Sequence, residues 1–137
     1  MSKRALISIV SKQRSKDEEA IEVKTPGSFS KDDYIYRAIY DETEISGMEG
    51  TTTTLEIEPD KFVLIREGST STRMEFMKDN RYTTLYNTPY GPLELIILTK
   101  DLKVNVNDKG GEVYVNYDMS VSGQTPQKTE LKIDIKA

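Results

Sequence analysis

Residues 51–67 read TTTTLEIEPDKFVLIRE, two alternating runs on either side of Pro59-Asp60. Pro fixes its own φ and Asp caps a tight reversal, so the pair reads as a hairpin turn. Folding about it sets Leu55 opposite Leu64, Ile57 opposite Phe62 and Thr53 opposite Arg66. The apolar residues then share one face, while Glu56, Glu58 and Lys61 take the other. A slip of one residue would turn the whole apolar set outward, so the pattern carries its own register. A hairpin with one greasy face needs further strands to cover that face, and the neighbouring sequence supplies them.

Downstream, Asp79-Asn80 reads as a second hairpin turn, pairing Met74 with Leu85 and Phe76 with Thr83. The stretch YNTPYGPLELIILTK (86–100) holds Thr88-Pro89-Tyr90-Gly91, with Pro second and Gly fourth as a type I turn followed by a left-handed glycine prefers. A three-residue loop there sets Thr88 against Pro92, Leu85 against Leu95 and Thr83 against Ile97. A turn around Lys109-Gly110 pairs Val106 with Val113, Val104 with Val115 and Leu102 with Tyr117. Between Ile97 and Leu102 the inward phase shifts by an odd number of residues, which predicts a bulge or bend near Lys100-Asp101. Leu55, Ile57, Phe62, Leu64, Met74, Phe76, Leu85, Leu95 and Ile97 are the expected core.

The same period-two reading gives strands near 4–14, 19–25, 33–43, 51–58, 61–67, 71–78, 81–87, 92–99, 102–107, 111–122 and 128–136. KDEEAIEV (16–23) is the one weak helical candidate. With 137 residues, no repeat and no linker-like segment, the chain reads as one domain over 1–137, able to bury roughly 68% of its unfolded surface. Sequential antiparallel strands without helices to cover them favour an all-β, up-and-down antiparallel barrel of about eight to ten strands.

Composition narrows the chemistry. The chain has no Cys and no His, which removes thiol nucleophiles, disulfides, imidazole general bases and the usual zinc ligands. NVNDKGGE (105–112) fails as a calcium loop because Lys109 sits at a ligand position, and GMEGTTTT has no Lys for a phosphate loop. No cofactor and no metal is expected. A net charge of -4 disfavours nucleic acid, which needs concentrated Lys and Arg. The apolar part of MSKRALISIV is too short for a signal peptide or a membrane span, so a cytoplasmic protein without membrane contact is expected.

Five segments, YDETE, GTTTTLEIE, STRMEF, YNTPYGPLEL and TKDL, all between Tyr40 and Leu102, resemble the YwiB-like family of small bacterial proteins of unknown function. The resemblance implies a calycin-like (lipocalin-superfamily) β-barrel and no particular activity. The lipocalin Gly-x-Trp signature is absent, there being no Trp. The last arginine is Arg81, so the Arg-x-Tyr carboxylate clasp of fatty-acid-binding relatives has no counterpart near the C-terminus.

Candidate sites follow from the registers. Arg73, Tyr86 and Glu94 would form a polar row across three strands, able to grip a polar ligand or simply to pair on a solvated face. Tyr90 tops the adjoining loop. On the same outer face Met77, Tyr82 and Leu98 would make an apolar strip, either an interface or a patch covered by the N-terminal strands. Arg66 points to the interior or its mouth, where an inward charge needs a partner, a ligand or a route to solvent. Asp41, Glu42, Glu44 and Glu49 read as a solvated acidic loop. No residue is singled out as catalytic. The expected function is a non-enzymatic barrel that binds a small, partly apolar molecule, with assembly through the outer face, as a homodimer or with another protein, as the alternative.

Overall fold

Alternating apolar and polar residues leave the chain no helical face to bury, and every regular element among the described residues is a strand. A computed structural model describes residues 2–13, 21–42, 50–68, 71–88, 90–124 and 126–137. Ten strands run β1 Ser2–Gln13, β2 Ile21–Asp32, β3 Ile35–Asp41, β4 Thr52–Glu58, β5 Lys61–Glu67, β6 Thr72–Phe76, β7 Arg81–Thr88, β8 Gly91–Asn107, β9 Gly110–Val121 and β10 Gln127–Lys136. They form a single antiparallel sheet in the order β6-β5-β4-β3-β2-β1-β10-β9-β8-β7. The sheet curls into a nearly closed barrel whose one unladdered seam, among the described residues, lies between β6 and β7. Of the helical candidate, 16–20 lie outside the described residues and Ile21–Val23 open β2.

The hairpin about Pro59-Asp60 has the register its sequence dictates, with Leu55 opposite Leu64, Ile57 opposite Phe62 and Thr53 opposite Arg66. The bulge is present too, a register break between Thr99 and Asp101. It bends one 17-residue strand rather than separating two. Beyond it, Val106 faces Gly111, Val104 faces Val113 and Leu102 faces Val115. That differs from the expected pairing by two residues, because the turn is Asp108-Lys109. An even shift keeps every side chain on its expected face, and Val113 and Val115 are fully buried.

The β7–β8 hairpin differs by one residue, and there the faces exchange. Thr88 pairs with Gly91, leaving two residues between them instead of three, so Leu85 faces Glu94, Tyr86 faces Leu93 and Tyr82 faces Ile97. Leu85 is therefore not in the core but 57% exposed. This register brings Tyr82, Thr84 and Tyr86 to the inner face, and Tyr82 packs against the core cluster. Two aromatic rings bury far more apolar surface than one leucine, which is reason enough for the ladder to choose them. The Asp79-Asn80 reversal is real, with Asn80 N–H donating to Met77 O at 3.0 Å and Asp79 at φ 62°. It does not open a β6–β7 ladder. Asp79 N–H donates to Thr99 O at 2.9 Å, and Thr99 N–H donates to Asn80 O at 3.1 Å. The turn is thus drawn onto β8, and Met74 pairs with Leu64 on β5.

The remaining members of the expected core are buried. Leu55, Ile57, Phe62, Leu64, Met74, Phe76 and Ile97 belong to one cluster with Ile7, Phe29, Val113, Val115, Ile133 and Ile135, and Leu95 is buried as well. One end of the barrel is filled by aromatic side chains: Phe29 and Tyr36 stack at 5.4 Å, and the Tyr36 hydroxyl donates to Asp108 Oδ1 at 3.0 Å.

Candidate functional site

At the opposite end, where the odd-numbered strands finish, the inner face turns polar. Along β3 the inward positions read Ala38, Tyr40, Glu42; along β5, Phe62, Leu64, Arg66; along β10, Thr129, then Leu131. Alternation thus carries a carboxylate and a guanidinium inside the barrel. They bound a cavity of about 200 Å³, lined by the apolar side chains Ile9, Val23, Leu64, Met74 and Leu131 and the polar ones Ser11, Tyr40, Glu42, Arg66 and Tyr117.

Glu42 is the best satisfied of these groups. Its side chain is 3% exposed, and its Oε1 accepts from Thr53 Oγ1 at 2.6 Å while lying 3.9 Å from Arg66 Nε. Its backbone N–H donates to Thr51 O at 2.8 Å, which holds the residue inside as the strand ends. Tyr40 lies beside it. Burial pushes the Tyr40 phenol above its ordinary value, the nearby Glu42 carboxylate pushes it further, and Arg66 opposes both. Burial also raises Tyr117, with Arg66 and a hydrogen bond to Thr129 pulling back. Both phenols are neutral hydroxyls across the physiological range. Arg66 is less well served: its Nε is buried without a hydrogen-bond acceptor among the described residues.

Of the residues proposed from sequence, Arg66 alone lies on this cavity. The expected row of Arg73, Tyr86 and Glu94 does not form. Arg73 lies opposite Ile65 on β5, and its Nε donates to Glu75 Oε2 at 3.0 Å. Tyr86 turns inward opposite Leu93, and Glu94 faces outward opposite Leu85. The one-residue change at β7–β8 and the missing β6–β7 ladder separate all three. The same change splits the apolar strip: Tyr82 packs inside, Leu98 stays half-buried outside and Met77 is 37% exposed at the turn. Nor do the N-terminal strands cross that face, since β1 lies between β2 and β10 in the sheet. Tyr90 is fully exposed.

Arg73 belongs instead to a charged outer face. Lys61 Nζ lies 3.1 Å from Glu75, and Arg37 Nε 2.9 Å from Glu56. Glu56 and Glu75 flank Val63 on that face, and Val63 is only 1% exposed. Burial alone would raise the Glu75 carboxyl, but the bonds from Arg73 and Lys61 outweigh it and hold the group below its ordinary value.

Glu42 is the clearest correction to the sequence reading. Placed there in a solvated acidic loop, it is buried; Asp41 is exposed, and Glu44 and Glu49 lie outside the described residues. Parity was the available signal, because Glu42 is in phase with Ala38 and Tyr40, and Thr53 is in phase with Leu55. Among the described residues no cluster of three or more acidic groups could hold a metal ion, and no helix is long and apolar enough to cross a membrane.

Residues 7–133 match a protein family described as a domain of unknown function, DUF1934. The chain belongs to the DUF1934 family. Among curated proteins it is similar to the uncharacterized beta-barrel protein YwiB of Bacillus subtilis (strain 168), at 23% identity over 109 residues, covering 79% of this chain and 75% of that protein. Among solved structures it is similar to the crystal structure of the YwiB protein from Bacillus subtilis, with a TM-score of 0.88 and 18% identity over 99% of this chain and 92% of that one. The barrel is therefore the DUF1934 fold, and the family resemblance read from YDETE to TKDL holds.

Proposed function

We propose that this DUF1934 protein is a non-enzymatic binding barrel for a small, partly apolar molecule held in the Glu42–Arg66 cavity. The observation that carries the reading is an amphipathic cavity inside the barrel, lined by five aliphatic or thioether side chains together with the Glu42–Arg66 ion pair. Eight-to-ten-stranded barrels of the calycin kind hold one small ligand in such a place. The chemistry offered is recognition: one carboxylate already neutralised by a guanidinium, two neutral phenols and hydroxyls, with no nucleophile–base pair among the lining residues. The ion pairs Arg37–Glu56 and Lys61–Glu75 on the outer face suit a barrel bathed in water rather than lipid, in keeping with a cytoplasmic protein.

Native mass spectrometry of the protein purified from its own host tests this. A bound molecule, lost on unfolding and absent from a Leu131→Trp variant whose cavity is filled, is the expected result. A mass equal to that of the bare polypeptide for the wild type, as for the variant, would end the reading.

Self-association is the second reading, favoured by the unladdered edge of β7 at the seam with β6. No ladder covers that edge among the described residues, and Leu85, on the outer face of the same strand, is 57% exposed. An unpaired edge is a template for another strand, and a second copy offers the same edge in the antiparallel sense. A dimer by sedimentation equilibrium that Leu85→Glu converts to a folded monomer would support it; a monomeric parent would exclude it.

A further inference from the structure

Resting on the ligand-binding reading of this cavity, we propose that its ligand is uncharged, about the size of a single ring, and presents a hydrogen-bond acceptor such as an amide or ketone oxygen to Arg66. Size comes first. A cavity of about 150 Å³ lined by aliphatic and aromatic side chains accommodates benzene, and this one is about 200 Å³. Drug-sized ligands need more room.

The acceptor follows from Arg66. Its Nε is buried and has no acceptor among the described residues, and a buried donor left unmatched is costly. Glu42 does not fill the role, because its Oε1 stands 3.9 Å away and already accepts from Thr53 at 2.6 Å. A ligand oxygen seated on the cavity side of the guanidinium would satisfy it, with the ring lying against Ile9, Val23 and Leu131.

Neutrality follows from the charge count. Glu42 and Arg66 are the only acidic and basic side chains in the lining, one of each sign, and their formal charges cancel. A carboxylate ligand would bring a second anion beside buried Glu42 and leave the cavity with a net negative charge. An ammonium ligand would crowd a second cation against Arg66 and still offer its Nε no acceptor. A neutral carbonyl meets the unmatched donor and leaves the balance intact.

Three probes of nearly equal shape separate these cases: benzamide, benzoate and benzylammonium, titrated into the full chain with the Ile, Leu and Val methyl groups followed by NMR. Benzamide should shift the Ile9, Val23 and Leu131 methyls with a Kd at least tenfold below that of either ion. Glu42→Gln removes the anion and leaves Arg66 uncompensated, so benzoate should then bind at least tenfold better than benzamide. Benzoate binding wild type as tightly as benzamide would overturn the neutral-ligand inference while leaving the cavity a binding site. No shift from any probe would remove the binding reading and this inference together. Should the Gln variant fail to fold, the wild-type series decides by itself.

Discussion

Thr53 Oγ1 and Glu42 Oε1 stand 2.6 Å apart inside the barrel, joining the end of β3 to the start of β4 across the 42–51 connection. The bond is charge-assisted, and a buried carboxylate that loses such a donor keeps its desolvation penalty. Thr53→Val keeps the shape and removes the hydroxyl. It should destabilise the protein by about 1.5–3 kcal/mol in urea unfolding, and an unchanged midpoint would show that solvent can replace the bond.

Leu85 and Leu55 provide a matched pair for the register. Leu85→Ala, at a position 57% exposed, should alter stability by no more than about 0.5 kcal/mol. Leu55→Ala, at a fully buried position in the central cluster, should cost about 2–5 kcal/mol. Comparable losses in the two variants would restore the three-residue β7–β8 loop and bring Leu85 back inside.

Alkali should unfold the barrel through its buried phenols. Burial, the first cause in each case, raises Tyr40 and Tyr117 above the ordinary phenol value of 10.0. Their contribution is complete below that value, where folded and unfolded chains are both protonated. Above it the unfolded chain releases protons that the folded one retains, and stability falls by about 1.4 kcal/mol per pH unit for each phenol. Urea midpoints should therefore decline as pH rises from about 10 to about 11, and less steeply in Tyr117→Phe. Equal slopes would mean that the Tyr117 hydroxyl ionises as freely in the fold as out of it.

Gly111 sits in β9 at φ 146°, and a Cβ there would run into the Asn105 backbone oxygen across the ladder. Gly111→Ala should cost more than about 1 kcal/mol, read as a lowered Tm. Retention of the wild-type Tm would mean that β8 can yield at Asn105.

Alternation and turn chemistry made most of the barrel legible. Pro59-Asp60 admits a two-residue turn that aligns two unambiguous apolar faces, so the β4–β5 register could be read directly. In β7 the sequence RYTTLYNT has no such asymmetry. One face offers Leu85 and the other Tyr82 and Tyr86, and counting apolar residues undervalues rings that bury their carbons while their hydroxyls stay near water. The cavity was half legible. Arg66 could be placed because its hairpin was certain, whereas Glu42 lies just beyond β3 among four acidic residues, where charge suggested solvent more strongly than parity suggested the interior. Its stabilising partners, Thr53 and Arg66, come from two other strands and cannot be assigned before the strand order is known.

The sheet order, β6-β5-β4-β3-β2-β1-β10-β9-β8-β7, is the chain order read around a circle and cut between β6 and β7. Among the described residues the only ladder between strands distant in sequence is β1–β10, which brings Ile7 against Ile135 and Ile9 against Ile133. In the natural chain β1 must wait for the last strand to be made before its second edge is covered. Circular permutation would remove that delay. A chain that begins at β7, runs through β10 across a short linker into β1 and ends at β6 would be a pure meander, each strand bonded only to its neighbours in sequence. Its relative contact order would fall, and folding rate rises as contact order falls, while the Glu42–Arg66 cavity and the open seam would both be retained.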